Sequence, residues 1–534
     1  MEGQRDYWAL RRRVSRREML GRAARGGVGL AMVSLLGCAA AKEATPTAVK
    51  PVSGGKLTMA VSQMLGADPH RPLAGGAERP VREQVYHGIC NLSPDAEIVP
   101  DLGESWEIPE PDRIVFKLKK GVKFHDGTDF DAAAVKFNYD RIMDPATQAY
   151  DKPRLEQAVK SVEVTDSFTV TYRLPGPSAS FFYNVAAENL GVIVSPAAVK
   201  KYNNDLTQKG VGTGPFQHGE WVMDDHLTFQ RFPEYWGKGL PYLDTVLIRI
   251  IPDETVRLTM LKTGELNFIH RVEPRYMKTL GEDPNLVAKW RPSLAPLGLA
   301  LNGLKPPLNN KALRQAIAYA IDKKAITDTV LDGMAEPALG YYSSQYWFHN
   351  PNIKGYTYDL AKAKAKLAEG GYPNGFDLEL VAWSGFPNHT AGAEVVQAQL
   401  GKIGIRVKVV VPEYAKGIAQ WRAGEFQALL GKTSGPTDPF RHNTANLMKD
   451  APYCKNSCQP NARIDQLIIA ADQTYDKAER KRLFNELEQL LLDEVHFQYV
   501  IAHDTNRVAY NKRVQGFLLP LEADTVNLTK VWVS

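Results

Sequence analysis

The sequence predicts an α/β protein built from at least two lobes, and three observations carry that expectation. The first is length. Residues 1–37 read as a removable leader, and taking them from the 534 leaves 497, more than one hydrophobic core usually serves. The second is a strand–helix–strand run at 376–383, 393–402 and 405–411, an order that calls for parallel strands joined by a right-handed crossover. The third is a set of alternating apolar and polar runs in the first half. Arg113-Ile114-Val115-Phe116-Lys117-Leu118-Lys119 is one of them, and its period of two puts every second side chain on one face.

The leader opens the chain. Ser15-Arg16-Arg17-Glu18-Met19-Leu20 is a paired-arginine export address, and an apolar run at 26–36 follows it. That run falls short of the roughly 20 residues needed to cross a bilayer core of about 30 Å. With a basic front and small residues at its end, it reads as a signal peptide. Leu35-Leu36-Gly37-Cys38 resembles the box at which bacterial lipoproteins are cleaved. Cys38 is therefore expected to become the lipidated first residue of a chain held to a membrane outside the cytoplasm. Residues 38–54, small, polar and Pro-containing, read as a flexible tether.

Charge excludes one class of partner. The formal +5 arises from 65 basic and 60 acidic residues, and eight of the former and three of the latter lie in residues 1–37. The mature chain thus has 57 of each sign, without the basic footprint of a nucleic-acid binder. Composition is otherwise ordinary, 44% hydrophobic and 23% charged. Of the remaining cysteines, Cys90 lies in an apolar run and reads as a small buried hydrophobe. Cys454 and Cys458, four apart in Ala-Pro-Tyr-Cys-Lys-Asn-Ser-Cys, read first as a small disulfide loop. A metal site is the sharper alternative, and no histidine lies close in sequence to complete it.

The folded body opens with a strand at 56–61, a turn at Ala67-Asp68-Pro69 and a helix-like stretch at 79–86. Strands follow at 113–119 and 121–128, a helix at 131–143, and two alternating runs within 162–174. In the second half, 311–332 and 359–369 have helical spacing, the latter closed by Gly370-Gly371. Asp476 and Glu479 form a capping-box pattern before a helix running to about 494. Strands at 495–503 and 513–519 finish the chain.

Catalytic signals are sparse. The sequence holds no G-x-x-x-x-G-K-[ST], no G-x-S-x-G and no H-E-x-x-H. His125-Asp126 stands at a strand-to-turn junction, where bracing the turn is the plainer role and an acid/base pair the other. Tyr341-Tyr342 and Tyr346-Trp347-Phe348 form an aromatic cluster, read as packing, with ligand stacking as the alternative.

Several long, ordered motifs carry a family resemblance. They are Ile98-Val99-Pro100-Asp101-Leu102 with Ser105-Trp106, Phe116-Lys117-Leu118, and Gly121-Val122-Lys123-Phe124-His125-Asp126-Gly127. They continue with Gly212-Thr213-Gly214-Pro215-Phe216, Glu234-Tyr235-Trp236-Gly237, Leu313-Arg314-Gln315-Ala316-Ile317 and Tyr358-Asp359-Leu360. Together these resemble the peptide/nickel/opine class of extracellular solute-binding proteins (family 5) that feed ABC importers, over residues 55–534. The resemblance implies an α/β, two-lobed periplasmic-binding-protein fold of type II, with an extra subdomain on lobe I, closing on a central cleft. Lobe I would take 55–300, including the subdomain at about 100–205, lobe II 301–510, and residues 511–534 would return to lobe I. It also implies a monomer without cofactor or catalysis, partnered by permease subunits and a small-molecule or short-peptide ligand. A metal-chelate or haem carrier of the same fold is the alternative, and an exported hydrolase the more distant one.

The stretch 430–440 bears on the ligand. In dipeptide- and oligopeptide-binding members the equivalent loop carries a tryptophan and an aspartate whose carboxylate pairs with the peptide α-ammonium. Setting Asp438-Pro439 on the family's Asp-Pro puts Lys432 at the tryptophan position and Gly435 at that aspartate's. A buried ammonium without its carboxylate loses a few kcal/mol. Lys432 would instead favour a carboxylate, phosphate or other electron-rich group; the alternatives are that it faces solvent, or that peptides are held by backbone pairing alone. Ser434 and Asp438 of the same loop join Lys432 in the expected ligand-binding set. Asn302 at a presumed lobe crossing, Trp383 at a strand end, Arg441 beyond the Asp-Pro, and Tyr86 near the segment bordering the ligand in relatives complete it.

Overall fold

Two long antiparallel strands, Leu286–Leu301 and Gln498–Asn511, run through the middle of the molecule and tie its halves together. The structure is a computed structural model, and it describes residues 50–534 apart from 65, 72–78, 188, 385–386, 433–434, 436 and 523–524. The leader and Cys38 lie outside the described residues.

Among the described residues the two strands sit within a ten-stranded sheet. On one side lie Ala428–Lys432, Asp377–Ala382 and Arg406–Val410, parallel to one another. On the other side lie Phe268–His270, Lys56–Val61 and Thr245–Ile250, also mutually parallel, then the antiparallel His226–Arg231 and Phe216–Val222. Register fixes their directions. Ala428 pairs with Leu301 and Lys432 with Leu297, while Phe268 pairs with Tyr510 and His270 with Val508. Both parallel sets therefore run inward, with their carboxyl ends pointing at the middle of the long strands.

Separate cores flank that middle. Leu57, Phe229, Ile248 and Phe268 pack with Tyr510 and Phe517 on one side. Leu299, Ile317, Leu380, Val396 and Leu430 pack with Ile501 on the other. The long strands change core between Ala288 and Leu297 and between Ala502 and Val508. Periodicity gives no sign of Leu286–Leu301 because Pro292 and Pro296 interrupt it. Proline cannot donate to a ladder and sits at bulges, and the register of this pair shifts between Pro292 and Pro296.

A four-stranded sheet, in the order Gly103–Glu110, Arg113–Leu118, Thr169–Arg173, Ser161–Asp166, forms a smaller unit. Its core is aromatic: Phe116 lies 5.7 Å from Tyr172 and 6.2 Å from Phe182, edge to face. The helix Ala132–Met143 packs on it and starts at Asp131, whose side chain accepts from Ala134 N at 2.9 Å.

Three expected elements differ most, and one of them, the strand expected over 513–519, is only Val514–Gln515. The helix expected over 311–332 is two, Lys311–Ala320 and Lys323–Val330, because Ile321 is extended and Asp322 caps the second by accepting from Ala325 N. The strand expected over 121–128 is a turn closed by the bridge between Lys123 and Asp129, with Gly127 at φ +82°. There His125 Nε2 donates to Gly214 O at 3.0 Å, and Asp126 Oδ1 accepts from Thr128 N at 3.1 Å, so both brace the turn.

Candidate functional site

Ligand sites in open α/β sheets lie outside the carboxyl ends of the parallel strands. Here two such sets face each other, which places the crevice between Lys432 and Trp383 on one side and His270 on the other. Trp383 directly follows Asp377–Ala382. Its ring is 3% exposed and packs 5.4 Å from both Trp421 and Tyr414, with Gly431 leaving it room. Lys432 is the last residue of its strand. Ser434 lies outside the described residues.

Gly435 is the position the resemblance singles out, and its surroundings are decisive. A Cβ placed there would lie 2.0 Å from Leu294 C and 2.1 Å from Leu294 O. Such contacts are with backbone that cannot step aside, so no side chain fits. Beside it, Leu294, Pro296, Tyr341, Tyr342, Tyr346 and His442 line a cavity of about 10 Å³, about the room a single water needs. Tyr341 Oη lies 2.8 Å from His442 Nε2, and Tyr342 Oη donates to Asn443 Oδ1 at 3.1 Å. Burial pushes both phenols far above their usual pKa, so they stay neutral. The aromatic run 341–348 was the one sequence signal for this wall; the partners Leu294 and His442 had none.

Three of the expected ligand residues are consumed by the framework. Asp438 accepts from Phe440 N at 2.9 Å, capping Pro439–Asn446, and its other oxygen meets Arg480 at 2.7 Å, with both side chains buried. Asn302 is fully buried, donating to Gly424 O and Phe426 O at 3.1 and 3.0 Å and accepting from Leu304 N. Tyr86 donates to Ala67 O at 2.9 Å inside the first core. Arg441 lines a different space, a cleft of about 440 Å³ between the smaller unit and the second half, together with Asn184, Thr444 and Asp472. At its edge Ser180 N donates to Asp472 Oδ1 at 2.8 Å, and Tyr475 Oη donates to Pro111 O at 3.0 Å.

Two buried ionisable groups stand behind the tyrosine wall. Glu488 accepts from Tyr342 N at 3.0 Å, and burial pushes its pKa up to about 7. Lys323 donates to Ala338 O at 2.7 Å above the Tyr499 ring, and burial pulls its pKa down to about 7. Cys454 and Cys458 form a disulfide with Cα atoms 4.8 Å apart, and Cys90 is buried and free.

Two lobes joined by long strands, with parallel strand ends opposed across their middle, are the plan of a solute-binding protein. The family model "Bacterial extracellular solute-binding proteins, family 5 Middle" matches residues 97–451, and the chain belongs to that family. The glutathione-binding protein GsiB of Escherichia coli K12 is 30% identical over 456 residues, 82% of this chain and 86% of that protein. Among solved structures, the periplasmic binding protein DppA of Helicobacter pylori in complex with the peptide STSA has 28% identity and a TM-score of 0.75. It matches over 90% of this chain and 98% of that one. AgaA of A. tumefaciens R10 in complex with agropinic acid has 28% identity and a TM-score of 0.72, over 90% and 99%. The relatives are solute-binding proteins, not enzymes, and the chain is the solute-binding component of an ABC importer, working outside the cytoplasm. Among the described residues no helix is long and apolar enough to cross a membrane.

Proposed function

We propose that the mature chain is anchored by lipid on Cys38 and captures a small peptide-like or acidic solute by closing its lobes, then presents it to a membrane permease. The lobes meet where the long strands change core, so lobe I runs from 55 to about 292 with the subdomain at about 100–205, lobe II from about 297 to 502, and the chain from about 508 to 534 returns to lobe I, in place of the expected bounds at 300 and 510. The segments where the long strands change core, around Pro292–Pro296 and 503–507, act as the hinge, as element-interrupting positions do in domain closure. A solute drives closure only as far as it prefers the closed state.

The observation that carries the ligand class is Gly435 against the Leu294 backbone. No carboxylate can stand there to meet an α-ammonium, while Lys432 ends the strand leading into the same loop. AgaA, a relative in complex with agropinic acid, supports the acidic part of this reading. Calorimetry with a short acidic peptide and its Nα-acetyl form tests it. Dissociation constants within about threefold of each other are expected. A loss beyond tenfold on acetylation, about 1.4 kcal/mol, would show that an amine pocket exists after all.

A further inference from the structure

The cysteine pair meets a histidine that the sequence keeps 38 positions away. Cys454 and Cys458 lie one turn apart, Cys458 N donating to Cys454 O at 2.7 Å. His496 enters between the helix Lys477–Glu494 and the strand Gln498–Asn511. Its Nε2 is 3.5 Å from Cys454 Sγ, and the three ligand atoms all lie within 4.8 Å of one another. All three residues are buried. A cavity of about 110 Å³ borders Cys458 and His496, with Arg314 and Glu494 on its wall, so an ion and a water have room beside them.

We propose that, when the disulfide is reduced, Cys454, Cys458 and His496 form a three-ligand site for a thiophilic d10 cation, Cu⁺ or Zn²⁺. Two thiolates and an imidazole are a soft donor set that suits these ions and not magnesium or calcium. Cu⁺ is satisfied by three ligands, and Zn²⁺ takes a water from the cavity as its fourth. In the bridged state His496 Nε2 donates to Leu447 O at 3.2 Å; metal binding moves that proton to Nδ1 and frees the Nε2 lone pair. Arg314 and Glu494 on the same wall pair with each other at 3.9 Å, so the charge of the dithiolate is met by the cation itself.

The chemistry balances with one partner. A dithiol reductant delivers two electrons to the S–S bond, is itself oxidised to a disulfide, and leaves two thiols on the chain. The incoming cation then displaces both thiol protons to solvent. The disulfide is the resting form in an oxidising compartment, so metal uptake is gated by redox state.

A competition titration of the whole chain, oxidised and reduced, tests the site, with Cu⁺ against a chromophoric Cu⁺ chelator and Zn²⁺ against a zinc indicator. The reduced chain is expected to take one equivalent and the oxidised chain none. His496→Gln should weaken uptake at least tenfold, and replacing both cysteines by serine should abolish it. A reduced chain that takes up neither ion overturns the site, as does one-equivalent uptake that survives loss of the cysteines. Uptake unchanged by His496→Gln overturns the three-ligand assignment. The oxidised-to-reduced comparison uses the unaltered chain, so it decides even where a variant fails to fold.

Discussion

The ligand preference proposed above rests on Lys432 and Gly435. The absence of a Cβ at Gly435 lets the loop lie directly on Leu294, leaving no room there for a side chain. Lys432 stands three residues earlier and is the last residue of its strand. Lys432→Ala is expected to weaken the natural solute more than tenfold, roughly 1.4 kcal/mol or more, measured by calorimetry; an unaltered constant would place Lys432 outside the site. The sequence pointed to this loop because its Asp438-Pro439 is recognisable. It could not assign Asp438, whose partner Arg480 lies 42 residues further on, nor Asn302, whose three hydrogen bonds belong to a turn that only the folded chain makes.

The helix Lys477–Glu494 was legible from its start, since Asp476 accepts from Glu479 N at 2.7 Å as the capping pattern requires. What it buries was not. Glu488 sits on its inner face at 1% exposure, its carboxylate accepting from the Tyr342 amide, and a Cβ on Gly340 would strike that carboxylate at 2.1 Å. A carboxyl with a folded pKa raised from 4.5 to about 7 binds a proton that the unfolded chain has released. Its contribution to stability is therefore complete below about pH 4.5 and is lost as pH rises to about 7. Thermal unfolding followed from pH 4.5 to 7 should show a decline that Glu488→Gln flattens, by roughly 3 kcal/mol across the window. A variant whose curve runs parallel to the parent would contradict this. The long strands show the opposite case: Pro292 and Pro296 hide Leu286–Leu301 from any periodicity, and only its pairing with Gln498–Asn511 makes it a strand.

At the scale of the whole molecule, the α/β class and the two-lobed plan were legible from length and from the strand–helix–strand run at 376–411. The sheet order was not, because it depends on pairings such as Met59 with Phe268 and Leu297 with Lys432 that join distant segments. Those pairings aim both sets of strand ends at one crevice and so make a binding protein of two half-sites. The proposed lipid anchor is tested at Cys38: Cys38→Ala is expected to release the protein from membranes into the soluble fraction, and unchanged retention would count against it. The most direct test of the central claim is native mass spectrometry of the mature chain as purified, followed by release and identification of what it carries. One small acidic or peptide-like solute, near one per chain, is the predicted result. A heterogeneous set of short peptides with free α-amino groups would contradict the account built on Gly435.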